Sequence, residues 1–228
     1  MDIIIYIILV LSAFWAYKKH KLTFTGSVTG FIIGFVIYTG GGLLSFILLT
    51  TFFVLASWAT GWHKNKKIDH SDPAPRTAGQ VLANGGVAAL LGGLAWLNPE
   101  YSTIAQIMIA GSFAAATADT LSSEMGMIYG KRFVNIITLK KDQRGLDGVV
   151  SLEGTLIGMA GAAVIAILFW LFNHPGMAIP VIIFAGVLGN LADSILGATL
   201  ERKNLIGNNT VNFLNTLVGA AACYLWLA

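Results

Sequence analysis

Two copies of one short pattern place aspartates near the ends of strongly apolar runs. The pattern is ADTL at residues 118–121 and ADSI at residues 192–195, so the acids are Asp119 and Asp193. If these runs cross a membrane, each carboxylate costs about 2.5–3.5 kcal/mol to insert, and such a group marks a functional site by default. The two runs have the same direction when the predicted spans are counted, so we expect both aspartates at a similar depth.

Further polar side chains fall on the same helix faces as the two aspartates. Residues three and four apart share a face of a helix, so Ser123 aligns with Asp119 and Asn190 with Asp193. The second of these stripes continues toward Glu201. We therefore expect two facing polar edges at one surface of the protein.

Glu124 follows Asp119 by five residues, which is an unfavourable spacing for a shared site. Five residues of an ideal helix turn through about 140°, so the two acids meet only if the helix ends or unwinds near Ser122. Gly126 favours such an interruption. The predicted loop accordingly runs from about Ser122 to Val150.

The acids and the basic loop that follows them suit a metal site that binds phosphate. Mg²⁺ is held by one or two carboxylates together with substrate phosphates and waters. The loop offers cationic partners for those phosphates, namely Lys131, Arg132, Lys140, Lys141 and Arg144. Carboxylates, a metal ion and basic side chains are the groups that catalyse phosphoryl transfer.

Glycines and amides near these residues extend the set of candidate ligands. Gly145 and Gly148 form a flexible turn before the sixth predicted span, and the first backbone N–H groups of that span attract phosphate. Asn84 lies near one end of the fourth span. Amides that could bind a base or sugar, or equally cap and join helices, open the last span: Asn208, Asn209, Asn212 and Asn215.

The composition is that of an integral membrane protein. Of the 228 residues, 56% are hydrophobic and only 11% charged, and the mean hydropathy is +0.74. Because a membrane helix needs about 20 mostly apolar residues, we predict an all-α polytopic protein that forms a single membrane domain over residues 1–228. About eight transmembrane helices are expected: 3–17, 24–38, 43–62, 80–97, 102–121, 151–172, 180–200 and 211–227.

The fourteen lysines and arginines predict the orientation. With eight alternating spans, all fourteen fall in loops on one face, which the positive-inside rule assigns to the cytoplasm. We therefore expect a bacterial-type inner-membrane protein with its active site on the cytoplasmic face and both termini outside. Nucleic-acid binding is not expected, because no basic–aromatic module or folded soluble domain is present to carry it.

Residue types alone leave three functions open. A purely structural role for the two aspartates is disfavoured, because a salt bridge would need a cation within the membrane and every Lys and Arg lies in a predicted loop. Intramembrane acids also bind coupling ions or relay protons, as in a cation transporter. A kinase that releases a nucleoside diphosphate and a cytidylyltransferase that makes a CDP-lipid would both use acids, metal and phosphate contacts.

Five motifs in order resemble one family of integral membrane proteins. They are QVLANGG, ADTLSSEMG, GLDGVVSLEGT, LADSILGAT and NNTVNFL. Together they are similar to the family that contains the plant chloroplast phytyl-phosphate kinases, from about Gly26 to the C-terminus. The resemblance implies a kinase that transfers the γ-phosphoryl group of CTP, or of another nucleoside triphosphate, to a prenyl monophosphate such as phytyl or geranylgeranyl phosphate. The isoprenoid tail would then lie between the membrane helices.

The resemblance also implies the roles of individual residues. Asp119, Glu124 and Asp193 stand at acidic positions of the family motifs and are the expected catalytic Mg²⁺ ligands. Further family motif positions, expected to bind substrate, are occupied by Asn84, Gly145, Gly148, Ser151, Asn208 and Asn212. The helix faces and the basic loop described above add five expected substrate-binding residues: Ser123, Asn190, Lys140, Lys141 and Arg144. Leu121 and Leu146 depart from the residues common at those positions, and these changes bear on substrate detail more than on the metal site.

Overall fold

The computed structural model describes residues 2–66, 74–173 and 176–227, and in these ranges the chain is mainly helical. Lys67, one of the basic residues used to predict the orientation, lies outside them. The helices are α1 (Asp2–Lys18), α2 (Phe24–Gly61), α3 (Ala78–Leu97), α4 (Ser102–Tyr129), α5 (Leu152–Asn173), α6 (Ala178–Leu196) and α7 (Asn208–Leu227). A five-residue π-helical turn, Gly197–Glu201, extends α6. Two short strands, β1 (Val134–Asn135) and β2 (Val149–Val150), pair antiparallel.

The predicted all-α membrane architecture is confirmed. Five helical segments of the described chain are long and apolar enough to cross a bilayer. They are Phe24–Gly61, Ala78–Leu97, Pro99–Tyr129, Leu152–Asn173 and Ala178–Glu201. The count of eight spans stays a prediction, since α1 and α7 are not among the five.

The long helix α2 reverses direction at Gly42. This glycine has φ 72° and ψ −170°, which interrupts the helix. A Cβ at Gly34 would lie 3.5 Å from the Leu49 side chain, although 15 residues of straight helix would separate them by about 22 Å. Residues 24–41 and 43–61 are therefore two antiparallel arms, with the turn at the predicted position.

Helix α4 is the centre of the bundle, and α2, α3, α5, α6 and α7 all pack against it. Its middle is a run of small side chains around the fully buried Phe113. Gly111 meets Gly219 of α7 so closely that a Cβ on either glycine would clash with the backbone of the other. Small residues let helix backbones approach in this way, and the polar residues of α4 are thereby brought near those of its neighbours.

The predicted end of this helix near Ser122 is wrong, because α4 continues to Tyr129. The expected loop therefore begins at Gly130, where the helix is capped. Gly126 does not break the helix. It allows α5 to approach, since a Cβ at Gly126 would lie 3.2 Å from the Cα of Gly154.

The segments that carry the basic residues gather at one end of the bundle, which we call the loop end. The Trp62 indole N–H donates to the Tyr129 hydroxyl at 2.9 Å. The backbone N–H of Arg76 donates to the Lys21 carbonyl at 3.0 Å. Arg202 contacts the loop that joins α4 to α5. This common end agrees with the charge pattern, while the side of the membrane that it faces stays a prediction.

Candidate active site

A polar cavity of about 480 Å³ opens at the loop end of the bundle. It lies among the starts of α3 and α7, the C-terminal parts of α4 and α6, and the loop between α4 and α5. Eleven residues expected from the sequence line it: Asn84, Asp119, Ser123, Glu124, Gly145, Gly148, Ser151, Asn190, Asp193, Asn208 and Asn212. The volume falls within the range of about 300–1,000 Å³ that is typical of small-molecule sites.

The carboxyl groups of Asp119 and Asp193 lie next to each other, close enough to interact directly. Close helix packing explains their position: a Cβ at Gly189 of α6 would clash with Ala115 of α4. Each aspartate lies four residues further along its helix, on the same face as the contact. The tight crossing therefore places the two acids side by side.

This pair has an unsatisfied acceptor. Oδ1 of Asp193 is buried and has no hydrogen-bond partner among the described residues. Two adjacent carboxyl groups in a poorly solvated site need a shared proton or a bound cation between them, because two bare like charges repel strongly. The orphaned oxygen is thus suited to a cationic ligand such as Mg²⁺.

Three further acids line the same cavity, namely Glu124, Asp147 and Glu201. Glu124 reaches it although α4 is continuous, because the cavity extends around that helix toward Arg76. No group of three or more His, Cys, Asp or Glu side chains within the described ranges is arranged to hold a metal ion by itself. The donor set still fits Mg²⁺, which commonly takes one or two carboxylates and completes its shell with phosphates and waters.

The loop between α4 and α5 is fastened to α6 at Gly148. Its φ of 68° lies in the left-handed region, and a Cβ there would clash with Ala198. The Arg202 guanidinium adds a clamp, since it donates to the Asp147 carbonyl oxygen and to the Asp142 carboxylate, the latter at 2.8 Å. Glycine at this position therefore carries Asp147 into the cavity.

The structure does not bring Lys140, Lys141 and Arg144 into the cavity, because none of the three is among its lining residues. Their roles in substrate binding stay predictions. The two lysines are exposed on the loop, and the Arg144 guanidinium donates to the Met127 carbonyl at 3.0 Å. Backbone contacts with β1 fix this part of the loop: the Asn135 N–H donates to the Lys140 carbonyl at 2.9 Å, and Lys141 pairs with Val134.

The cation that does line the cavity is Arg76, and it is the only Lys or Arg among the lining residues that the structure describes. Its backbone is held to the start of α2, since the Thr23 N–H donates to its carbonyl at 3.0 Å. Its guanidinium donates to the Thr60 hydroxyl at 3.4 Å. Burial lowers the pKa of this guanidinium, and the nearby Glu124 carboxylate acts in the opposite direction. Arginine keeps its charge under such shifts.

The sequence singled out neither Arg76 nor Asp147. Arg76 is one of the fourteen basic residues that predict the orientation, and it stands directly before the Thr77–Gln80 capping box that starts α3. Helix starts are often close to anionic ligands. Asp147 lies within the quoted GLDGVVSLEGT motif, between the two glycines of the turn. An acid between the two glycines of this turn is the sequence signal that points to Asp147 as a site residue.

The amides and hydroxyls complete the cavity wall. The Asn212 amide donates to the Asn208 side-chain oxygen at 3.0 Å, and the Asn84 amide donates to the Gln80 carbonyl at 3.0 Å. The Ser151 hydroxyl accepts from the Gly154 N–H at 3.2 Å, so it caps the start of α5. Acids, amides and one arginine together suit a ligand that carries a cation and phosphate groups.

Comparison with known proteins finds one matching family and several similar proteins. The family model described as "Integral membrane protein DUF92" matches residues 7–220. The chain is 35% identical to the uncharacterized membrane protein MJ0933 of Methanocaldococcus jannaschii over 204 residues, which cover 89% of this chain and 84% of that protein. It is 28% identical to Protein PGR of Arabidopsis thaliana, with 91% of this chain and 90% of the plant protein covered.

A second plant protein, the chloroplastic protein VTE6 of Arabidopsis thaliana, is also 28% identical. That alignment covers 90% of this chain and 65% of the plant protein. No solved structure matches the chain significantly.

Proposed function

Because the chain belongs to the DUF92 family of integral membrane proteins, whose motifs resemble those of the plant phytyl-phosphate kinases, we propose that it is a CTP-dependent prenyl-phosphate kinase. It would transfer the γ-phosphoryl group of CTP to a prenyl monophosphate such as phytyl or geranylgeranyl phosphate. The observation that carries the proposal is the Asp119–Asp193 pair, with its orphaned oxygen, in an acidic cavity at the loop end of a membrane bundle.

The acids are the proposed ligands of Mg²⁺. Asp119 and Asp193 would hold one ion, and Glu124 has a place in the same cavity. An ion held by these residues would supply positive charge that neutralises the phosphates of the nucleotide. Metal ions are needed here because five carboxylates line the cavity and would otherwise repel a triphosphate.

The residues of the chain would position the reactants for in-line transfer. An oxygen of the prenyl monophosphate attacks the γ-phosphorus, the bond to the β-phosphate bridging oxygen breaks, and CDP leaves. The attacking oxygen is already ionised in a phosphate monoester, so no general base is required. Arg76, which lines the cavity, would neutralise a phosphate at its edge, and the amides of Asn208 and Asn212 would contact the nucleoside.

Product analysis tests this proposal against its two alternatives. The purified protein in detergent is incubated with Mg²⁺, CTP labelled at either the α or the γ position, and geranylgeranyl, phytyl or farnesyl phosphate. We expect γ-label in the prenyl diphosphate and α-label in CDP. Pyrophosphate together with α-label in lipid would instead identify a cytidylyltransferase. Absence of transfer with every acceptor and nucleotide would contradict the kinase and favour an ion-coupled transporter.

A further inference from the structure

A second large cavity is an apolar groove of about 610 Å³ among α1, both arms of α2, and α3. Its walls are mainly hydrophobic and aromatic, with Phe14, Trp15, Phe31, Leu49, Phe53 and Val81 among them. Helix α1 forms its outer wall and packs mainly on α2. A groove of this character suits a hydrocarbon chain, because burying apolar surface is favourable without any directional contact.

This groove joins the acidic cavity. Arg76, Gln80 and Asn84 line both of them, at the loop end of α3. Arg76 and Lys18 are the cations among the lining residues of the groove that the structure describes, and of these two only Arg76 also lines the acidic cavity. One arginine and two amide side chains therefore form the boundary between the acidic cavity and the apolar groove.

The groove has the depth of one leaflet. On α1 the lining residues extend from Leu9 to Lys18, and on the first arm of α2 they extend from Ser27 to Ile33. Leu22, between the two helices, also lines the groove. At 1.5 Å per residue the α1 wall is about 14 Å long, close to half of the hydrocarbon thickness of about 30 Å. A lipid with its phosphate at Arg76 would keep its tail in the leaflet that borders the acidic cavity.

A buried polar atom near the junction has no partner. The Ser27 hydroxyl lines the groove, its residue is only 6% exposed, and the hydroxyl lacks a hydrogen-bond partner in the described chain. Ser27 lies one turn into α2, after Thr23, whose backbone N–H donates to the Arg76 carbonyl. An unsatisfied buried hydroxyl is costly, and a polar group of a ligand close to Arg76 would satisfy it.

We propose that the groove holds the single hydrocarbon tail of the acceptor lipid and that Arg76 binds its phosphate where the groove meets the acidic cavity. The assignment rests on the proposed kinase function, which requires a lipid phosphate beside the acids. It adds the place of the tail, the route from one leaflet, and a phosphate-binding residue that the sequence motifs did not indicate.

The chain contains a comparison groove. A third cavity of about 550 Å³ lies between α6 and α7, and it is lined by apolar residues such as Phe184, Val218 and Ala221. None of its lining residues lines the acidic cavity. It offers lipid contact without access to the site, so a bulky substitution there controls for general disturbance of the lipid-facing surface.

Photo-crosslinking of a lipid phosphate tests the proposal without any catalysis. The probe is geranylgeranyl phosphate with a diazirine on its tail, applied to the full chain in nanodiscs without nucleotide, and the labelled peptides are identified by mass spectrometry. We expect label on α1, α2 and α3, competed by unlabelled geranylgeranyl phosphate. Label confined to α6 and α7, or equal competition by the two-chain lipid phosphatidic acid, would overturn the proposal.

Substitutions separate the tail site from the phosphate site. Gly30 lines the groove, and a Cβ there would make ordinary contacts at 3.7 Å with Leu22 and 3.9 Å with Val81. Gly30→Phe should therefore fill the groove and lower labelling about tenfold or more, with Gly30→Ala losing less. Ala221→Phe should label as the unmodified protein does. Equal labelling of the Gly30→Phe and unmodified proteins would refute the tail assignment.

The phosphate assignment has its own readout. Arg76→Gln should weaken competition by geranylgeranyl phosphate about tenfold or more, leave competition by the neutral alcohol geranylgeraniol unchanged, and be partly rescued in Arg76→Lys. Equal loss for phosphate and alcohol would contradict it. The two proposals fail separately: a protein that labels in the groove but transfers no phosphate refutes the kinase, whereas one that transfers phosphate but labels elsewhere refutes the groove.

Discussion

The two cavities that meet at Arg76 differ in almost every chemical respect. The cavity on the side of α4, α6 and α7 contains five carboxylates and several amides, whereas the groove on the side of α1 and α2 is aromatic and aliphatic. The first environment suits water and ions, and the second suits lipid chains. An enzyme that transfers a phosphoryl group from a soluble nucleotide to a membrane lipid needs both environments within the length of one substrate.

The acidic cavity and the apolar groove also differ in the helix packing that forms them. The acidic cavity depends on close backbone contacts at glycines and small residues, as at Gly111, Gly189 and Gly148. The apolar groove depends on a peripheral helix, α1, which leaves a space against α2. Precise placement of reactive groups requires the first kind of packing, while a tail-binding groove tolerates the second. Substitutions should therefore affect rate on one side and acceptor affinity on the other.

The largest expected effect follows from removing an acid of the pair. Asp119→Asn and Asp193→Asn should each lower kcat at least about 100-fold, the scale seen when one preorganised electrostatic contact is lost. Neither change removes packing volume, so the melting temperature should be preserved. Steady-state transfer of γ-label from CTP measures the effect.

The control for these two variants is Glu100→Gln. This acid is exposed and does not line the cavity, so its neutralisation should leave kcat close to that of the unmodified protein. Full activity of both Asp119→Asn and Asp193→Asn would refute the role of the pair.

Substitution of Arg76 should give the next largest effect, and it should fall on the acceptor. Loss of a charge-assisted contact costs about 1.5–3 kcal/mol, so Arg76→Gln should raise the KM for prenyl phosphate about tenfold or more. The KM for CTP should change much less, and Arg76→Lys should recover part of the loss. An equal rise of both KM values would place Arg76 at the nucleotide instead.

Substitution of Gly148 should lower transfer by a smaller factor, because it acts on the loop that carries Asp147. An L-residue in the left-handed region costs about 1–2 kcal/mol, and a Cβ at this position would clash with Ala198. Gly148→Ala should therefore loosen the loop that carries Asp147, with increased proteolysis of residues 130–151 and a several-fold loss of transfer.

The control for this variant is Gly207→Ala. Gly207 lies in a neighbouring loop and has nothing within 4 Å of its Cβ position. Equal protease resistance of the Gly148→Ala and Gly207→Ala proteins would contradict the fastening role of Gly148.

The smallest expected effect is a pH dependence of the same loop. The Asp142 carboxylate accepts hydrogen bonds from the Gln143 N–H at 2.8 Å and from Arg202, and these lower its pKa. A lowered pKa means that the contribution to loop docking is complete above the ordinary aspartate pKa of about 3.9 and is lost as the pH falls through the lower folded value.

Protease resistance of residues 130–151 as a function of pH measures this contribution. We expect the unmodified loop to loosen on acidification and Asp142→Asn to lack that step. Because the pair is partly exposed to solvent, the change should be modest. Identical acid profiles of the two proteins would exclude a contribution from Asp142.

The sequence predicted one side of this comparison better than the other. Asp119 and Asp193 were found because apolar surroundings make an acid conspicuous and because the two motifs repeat. Their pairing depends on small residues one turn earlier, Ala115 and Gly189, which the sequence could not identify as contacts. The continuity of α4 was missed because Gly126 serves helix packing with Gly154 and not a helix end.

The sequence patterns could not predict the apolar groove or the position of Arg76, and the reason is physical. Arg76 reaches the acids only because its backbone pairs with Lys21 and Thr23, more than 50 residues earlier in the chain. The lysines of the long loop are closer to Asp119 in sequence, yet they do not line the cavity. Motifs report residue types at short range, whereas the meeting of two cavities depends on contacts between distant segments.

The most direct test of the central claim, that the acidic cavity and the apolar groove act as one site, is label transfer from CTP measured over a range of geranylgeranyl phosphate concentrations. The unmodified protein, Asp193→Asn and Gly30→Phe are compared in the same nanodiscs. We predict that Asp193→Asn loses kcat, whereas Gly30→Phe raises the KM for the lipid with the KM for CTP unchanged. Undiminished kcat in Asp193→Asn together with an unchanged lipid KM in Gly30→Phe would contradict the account.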